Sequence, residues 1–126
     1  MLTTLDGFSG FSVDDIGQAL AFYRDTLGLD AHANEMGGID LAVGGARVFV
    51  YPKADHVPAA YTVLNLVVPD IDAAVDELET AGVTLERYEG MPQDARGVMR
   101  GRAAGHGPDI AWLTDPAGNI FGIIGG

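Results

Sequence analysis

The sequence predicts an α+β fold built from two tandem βαβββ units, and three observations carry the prediction. One phrase occurs twice: Phe11-Ser12-Val13-Asp14-Asp15-Ile16 and Leu66-Val67-Val68-Pro69-Asp70-Ile71 each run from a short apolar strand through an acidic turn into a helix. Val13 and Val68 lie 55 positions apart (68 − 13), as do Ile16 and Ile71, and a fixed interval marks a repeated unit. After each helix come short alternating runs bounded by Gly and Pro, which read as strands.

In the first unit, residues 8–13 form a strand with Phe8, Gly10 and Ser12 on one face and Ser9, Phe11 and Val13 on the other. Asp14 or Asp15 caps the helix that follows, because a short carboxylate accepts from the open N–H groups of a first turn. Ile16, Ala19, Leu20, Tyr23 and Leu27 then give one apolar stripe, and Gly28 stands where a left-handed residue ends the helix. Gly17 weakens this helix by about 1 kcal/mol relative to Ala. Residues 29–33 form a weak strand, residues 39–43 alternate, Gly44-Gly45 marks a hairpin, and residues 47–51 are rich in β-branched and aromatic side chains. Pro52 ends that strand, and residues 53–60 link the units.

The second unit repeats the plan with a strand over residues 62–68, a helix carrying Ile71, Ala74, Val75 and Leu78 and closed by Gly82, and a strand over 83–88. Residues 90–107 read as a long irregular loop, a length that in a compact domain usually serves function. Strands over 110–114 and 120–124 flank an Asp115-Pro116-Ala117-Gly118-Asn119 turn. The acidic face of the second helix (Asp72, Asp76, Glu77, Glu79) reads as solvated. Each helix stripe needs a sheet face to cover it. The other faces of two four-stranded sheets would then curve into an open cup of mixed sheet, with the helices outside.

Length predicts a single domain over 1–126, with module one at about 1–56 and module two at about 60–126. A chain near this size buries roughly two thirds of its unfolded surface, enough for a core without staples. Cysteine is absent, which removes disulfides, thiolate metal sites and a cysteine nucleophile. A net charge of −11 argues against nucleic acid and anionic membranes as partners, and suits a cationic ligand or serves solubility alone. The amino terminus shows no basic, apolar leader pattern, no stretch is long and apolar enough to span a bilayer, and a cytoplasmic location is expected.

Three stretches resemble the vicinal oxygen chelate superfamily, which includes glyoxalase I, extradiol dioxygenases and the bleomycin- and fosfomycin-resistance proteins. They are residues 13–29 with Phe22-Tyr23 before Leu27-Gly28, residues 67–82, and Trp112-Leu113-Thr114 leading into the Asp-Pro-x-Gly-Asn turn. In metal-dependent members, the resemblance implies a His five positions before the valine of each first strand and a Glu in each last strand. Those places fall on Phe8, Val63, Gly122 and, more loosely, near Phe49. None of the four has a side-chain donor, so the resemblance implies a member lacking the metal site, with no cofactor.

The candidate ligand-binding residues are Phe8, Phe49, Tyr51, Val63, Asn65, Met91, Arg96, Met99, His106, Trp112 and Gly122. Phe8, Val63, Asn65 and Gly122 are sent away from the helices by strand parity, and Asn65 either contacts a ligand or satisfies neighbouring backbone. Phe49 and Tyr51 share a face, and Trp112 either lines a pocket or packs under a helix. Met91, Arg96 and Met99 make residues 91–100 a possible lid, or Arg96, Arg100 and Arg102 offset acids such as Glu86, Glu89 and Asp94. His106 either reaches the site as an acid or base or is solvated, and no pair of His32, His56 and His106 has metal-ligand spacing.

The function this implies is a small-molecule binding protein of the glyoxalase/bleomycin-resistance type, holding an organic, cationic or amphiphilic ligand in a metal-free aromatic cup, in a homodimer. The alternative is a lyase, isomerase or dioxygenase-like enzyme, metal-independent and using His106, Tyr51 or an arginine, or with an atypical metal site. A third reading is an interaction module without a ligand.

Overall fold

The computed structural model describes residues 1–126 and resolves them into two compact units, Met1–Pro58 and Ala59–Gly126. The fold is α+β. Unit one holds strands β1 (Ser9–Val13), β2 (Asp30–Ala33), β3 (Ile39–Val43) and β4 (Ala46–Pro52), with helix α1 (Ile16–Ala21) between β1 and β2. Unit two holds β5 (Thr62–Val68), helix α2 (Ile71–Thr80), a short helix α3 (Gly101–Ala104), β6 (Ile110–Thr114) and β7 (Ile120–Gly125). No helix is long and apolar enough to cross a membrane.

The repeat is visible bond by bond. Asp15 and Asp70 both cap their helices from extended backbone: Asp15 Oδ1 accepts from Gln18 N at 3.0 Å, and Asp70 Oδ1 from Asp72 N and Ala73 N at 3.0 and 3.2 Å. Gly28 and Gly82, both at positive φ, follow the helices at the left-handed position only glycine takes freely. In each unit the first strand pairs in parallel with the last, β1 with β4 and β5 with β7. The closing bond is also repeated, with Lys53 N donating to Val13 O at 2.9 Å and Gly126 N to Val68 O at 2.7 Å.

Unit one is the expected βαβββ sheet, in the order β1-β4-β3-β2. Its core is Phe11, Val13, Ala31, Ile39, Leu41, Val48 and Val50, all on one sheet face and covered by the helical segment, where Tyr23 meets Phe11 edge-on at 6.4 Å. The first helix is not uniformly α. After Ala21 it widens into a π-turn over Phe22–Thr26, with Leu27 N reaching Phe22 O at 2.9 Å.

Unit two departs from the expected four strands. Its sheet has three, in the order β5-β7-β6, and residues 83–88 do not form a strand. One ladder-like bond remains, Glu86 N to Trp112 O at 2.8 Å. The physical reason is Gln93, whose side chain takes the backbone groups a strand would have paired: Oε1 accepts from Tyr88 N at 2.8 Å, and Nε2 donates to Glu86 O at 2.9 Å and Gly97 O at 2.7 Å. Met99 pairs with Ile110 through both backbone groups and covers the start of the β6 edge.

Nor is the 90–107 segment wholly irregular or its helix neighbour merely solvated. It contains α3 and is strapped to α2 by two half-buried arginines. Arg96 reaches Asp76 at 2.5 Å, Glu79 at 3.4 Å and Asp72 at 3.6 Å, while Arg100 reaches Asp72 at 2.7 Å, Asp94 at 2.9 Å and Asp109 at 3.6 Å. Three of the four α2 acids are therefore paired, and the acids the arginines offset are chiefly those of α2, with Asp94, rather than Glu86 and Glu89.

Candidate functional site

Directly paired residues on neighbouring strands point to the same sheet face. In unit one the face away from the helix therefore carries Gly10 and Ser12 on β1, Phe49 and Tyr51 on β4, Asp40 and Ala42 on β3, and Asp30 and His32 on β2. Of these, Asp30, His32, Asp40, Ala42 and Phe49, joined by Phe8, Met36 and Arg47, line a hollow of about 390 Å³, a size suited to a small organic molecule.

Phe49 is the floor of this hollow and is held from both sides. Tyr51 stacks on it with centroids 5.9 Å apart and planes at 25°. Gly38 lies beneath it: a Cβ there would come within 2.7 Å of Phe49 Cε1 and 2.6 Å of Val50 O, so only glycine admits the ring where it sits. Asn34 builds that close approach: its N–H donates to Gly38 O at 2.9 Å while its Oδ1 accepts from Gly38 N at 2.9 Å.

The rim is charged. His32 Nε2 lies 2.6 Å from Asp30 Oδ1, and Asn34 Nδ2 donates to Asp40 Oδ1 at 3.2 Å. Arg47 is committed to Asp6, and the Gly7 N–H together with that guanidinium holds the Asp6 carboxyl below its usual range. At the far end of the face, Ser12 Oγ and His56 Nδ1 are 2.7 Å apart, both half-buried.

The structure brings Phe8, Phe49 and Tyr51 together on this one face. Asp30, His32, Met36 and Asp40 were missed by the sequence reading, whereas Arg47 shares the face of Phe49 and Tyr51 as strand parity puts it. Period-two alternation was the available signal, since Asp40 stands between core Ile39 and Leu41, and Asp30 and His32 flank core Ala31.

In unit two, Gly125 lies against Ile71 and so marks the α2 side of the sheet. Asn65, Gly122 and Trp112 are paired across three strands on the opposite side. Trp112 thus does not pack under α2; it is buried with the Tyr88 ring edge-on at 5.5 Å. The Tyr88 hydroxyl is buried without a hydrogen-bond partner, and desolvation, with Glu86 nearby, pushes the phenol up. Asn65 is exposed, and its Oδ1 occupies the space a side chain at Gly122 would need. Val63 is half-buried at a ladder irregularity, Met91 is exposed, Met99 is engaged in backbone pairing, Arg96 is bound to α2, and His106 is exposed. These residues do not gather around one hollow. A second hollow of about 400 Å³ in unit two, lined by Glu79, Leu85, Arg87 and Arg96 among others, has no aromatic wall.

The ladders also place two of the four positions where the resemblance puts metal ligands. Phe49 pairs with Gly10 in unit one as Gly122 pairs with Asn65 in unit two. Phe8, Phe49, Val63 and Gly122 offer no oxygen, nitrogen or sulfur side-chain atom, so this set does not fit a metal ion. Nor does any group of three or more His, Asp or Glu side chains come together elsewhere.

Residues 8–123 match the sequence model of the Glyoxalase/Bleomycin resistance protein/Dioxygenase superfamily. No curated protein matches the chain. Among solved structures, a member of that superfamily from Sphaerobacter thermophilus is 25% identical with a TM-score of 0.68, over 97% of this chain and 98% of that one. TnmS3, an antibiotic binding protein from Streptomyces, is 23% identical with a TM-score of 0.64 and 98% coverage of each chain. The genomically encoded fosfomycin resistance protein FosX from Listeria monocytogenes is 13% identical with a TM-score of 0.68, over 100% of this chain and 95% of that one.

Proposed function

Because the chain belongs to the Glyoxalase/Bleomycin resistance protein/Dioxygenase superfamily, we propose that it is a small-molecule binding protein that holds an organic ligand on an aromatic, metal-free sheet face. The observation that carries this reading is Phe49: an aromatic ring, braced by Tyr51 and Gly38, floors a hollow at a position where a metal-dependent relative would present a ligand atom. An aromatic wall with a few polar groups at its rim is the usual chemistry of an organic-ligand pocket. The likeness to an antibiotic binding protein supports the same reading. So does the acidic composition, which suits a cationic ligand. The exposed apolar side chains of Tyr61 and Val67 support a homodimer.

Native mass spectrometry of the protein purified without chelator, with metal analysis of the same sample, tests the reading. The expected result is a dimer with an organic adduct or none, and less than stoichiometric metal. One divalent metal held stoichiometrically per chain would overturn it.

A second reading, a metal-independent enzyme, is favoured by one contact. Ser12 Oγ beside His56 Nδ1 at the end of the same face is a hydroxyl in reach of a base. Turnover of a ligand found by the mass spectrometry, abolished in both Ser12→Ala and His56→Ala, would establish it; binding without turnover returns the site to the first reading.

A further inference from the structure

The hollow in unit one also specifies a charge. Two carboxylates, Asp30 and Asp40, stand on neighbouring strands at its rim, on the face that carries Phe49. The one guanidinium among the lining residues, Arg47, is already matched by Asp6. The carboxylates have lighter partners: Asp40 accepts from the Asn34 amide, and Asp30 faces an imidazole. The rim therefore keeps a net negative charge when His32 is neutral. The Phe49 ring lines the same space, and the π-face of an aromatic ring attracts cations. Met36, exposed at the rim, adds a polarizable thioether suited to flat apolar surfaces.

We propose that the ligand of this face is a planar aromatic cation, its ring laid on Phe49 and its positive group held at Asp30 and Asp40. This rests on the binding reading above and names the chemistry it selects. An anionic ligand would meet two carboxylates with no uncommitted guanidinium to offset them. A neutral ligand would use Phe49 but leave the charge of the two carboxylates unmatched. The positive group needs N–H donors, since each Asp oxygen is an acceptor.

Three tricyclic probes of one shape separate the charge from the ring: 9-aminoacridine, which is cationic, acridine, which is neutral, and acridine-9-carboxylate, which is anionic. They are titrated by fluorescence into the full chain at about pH 8, where an ordinary imidazole is neutral. We expect 9-aminoacridine to bind about tenfold more tightly than acridine, and the carboxylate to bind most weakly. Asp40→Asn and Asp30→Asn should each erode the preference for the cation and leave acridine unchanged, while Phe49→Ala should weaken all three probes. Amide shifts of Asp40 and Phe49 in the unaltered protein on adding 9-aminoacridine give the same information without a variant. Equal binding of the three probes, weakened together by Phe49→Ala, would overturn the charge selection and leave the binding reading standing. A cation preference that survives the Asp30→Asn/Asp40→Asn double variant would also overturn it. Absence of binding by every probe, or binding indifferent to Phe49→Ala, would overturn both.

Discussion

Phe49 and Gly122 hold the same station in the two parallel ladders, Phe49 opposite Gly10 and Gly122 opposite Asn65, with Gly10 and Asn65 at the 55-residue interval of the repeat. The repeat therefore places a large ring in one unit and no side chain in the other. What supports each differs as well. At Gly38, beneath Phe49, the obstacles to a Cβ are the Val50 carbonyl and the ring itself, whereas at Gly122 the near obstacle is the end of the exposed Asn65 side chain.

Gly38→Ala is accordingly expected to cost more than Gly122→Ala. Overpacking against backbone costs about 1–3 kcal/mol, while Asn65 can rotate away. Urea denaturation of both variants measures the difference. In an Asn65→Ala background the Gly122→Ala cost should shrink further, and an unchanged cost would show that the strain lies elsewhere.

Gln93→Ala removes the side chain that stands in for a strand partner. Three buried or half-buried backbone groups lose their bonds, and leaving such a group unmade costs about 1–3 kcal/mol. Amide hydrogen exchange should accelerate at Tyr88, whose N–H donates to Gln93, and stay slow at Leu113, inside the sheet.

Asp94 ties the loop together, accepting from Arg96 N, Val98 N and Arg100 Nε at 2.9–3.0 Å. Burial pushes its carboxyl up, but the Val98 N–H, the Arg100 guanidinium and the Arg96 N–H outweigh it and hold the group below its usual range. Asp72 is also held low, chiefly by its bond to Arg100. A depressed carboxylate stabilises the fold above its unfolded value, about pH 3.9 for Asp, and that contribution is lost as pH falls through the lower folded value. Stability followed by Trp112 fluorescence should thus fall below about pH 4, and Asp94→Asn should flatten the fall while lowering stability at neutral pH.

Tyr88→Phe deletes a buried hydroxyl that has no partner and keeps the ring edge against Trp112. The expected effect is neutral to stabilising, up to about 1 kcal/mol. A clear loss of stability would mean that the hydroxyl has a partner in solution.

Asp115 and Asn119 are buried and lock the Asp-Pro-x-Gly-Asn turn: Asp115 Oδ1 accepts from Ala117 N and Asn119 N at 3.0 and 2.8 Å, and Asn119 Nδ2 donates to Asp115 Oδ2 at 3.2 Å. Asp115→Ala should lower stability by about 1–3 kcal/mol, read from a thermal melt, and leave ligand binding at Phe49 unchanged.

Much of the fold was legible because it follows from period and punctuation. All seven strands and both long helices lie within a residue or two of where alternation, stripes, Asp caps and glycine stops put them. The eighth expected strand is absent for a definite reason: residues 83–88 alternate like a strand, and the reach of the Gln93 side chain diverts their backbone groups. Arg96 and Arg100 could be noticed as a cluster, but their partners on α2 lie about twenty or more positions earlier, beyond any local pattern. At the site, Phe8, Phe49 and Tyr51 followed from parity. The same rule applied to Asp30, His32 and Asp40 would have completed the rim, but weak strands and exposed charges drew attention to solvent.

Pairing the first strand of each unit with the last has a consequence for how the protein is made. As the chain leaves the ribosome, β1 has no hydrogen-bonded neighbour until β4 has emerged, and β5 none until β7 has. Through that interval, Phe11 and Val13, then Leu66 and Val68, are apolar strands with open edges, the species most prone to pair with the wrong chain. The slow step of folding is then the insertion of the last strand between two waiting neighbours, β4 between β1 and β3, and β7 between β5 and β6. A chain that stops short of β7 would leave β5 with no hydrogen-bonded neighbour at all.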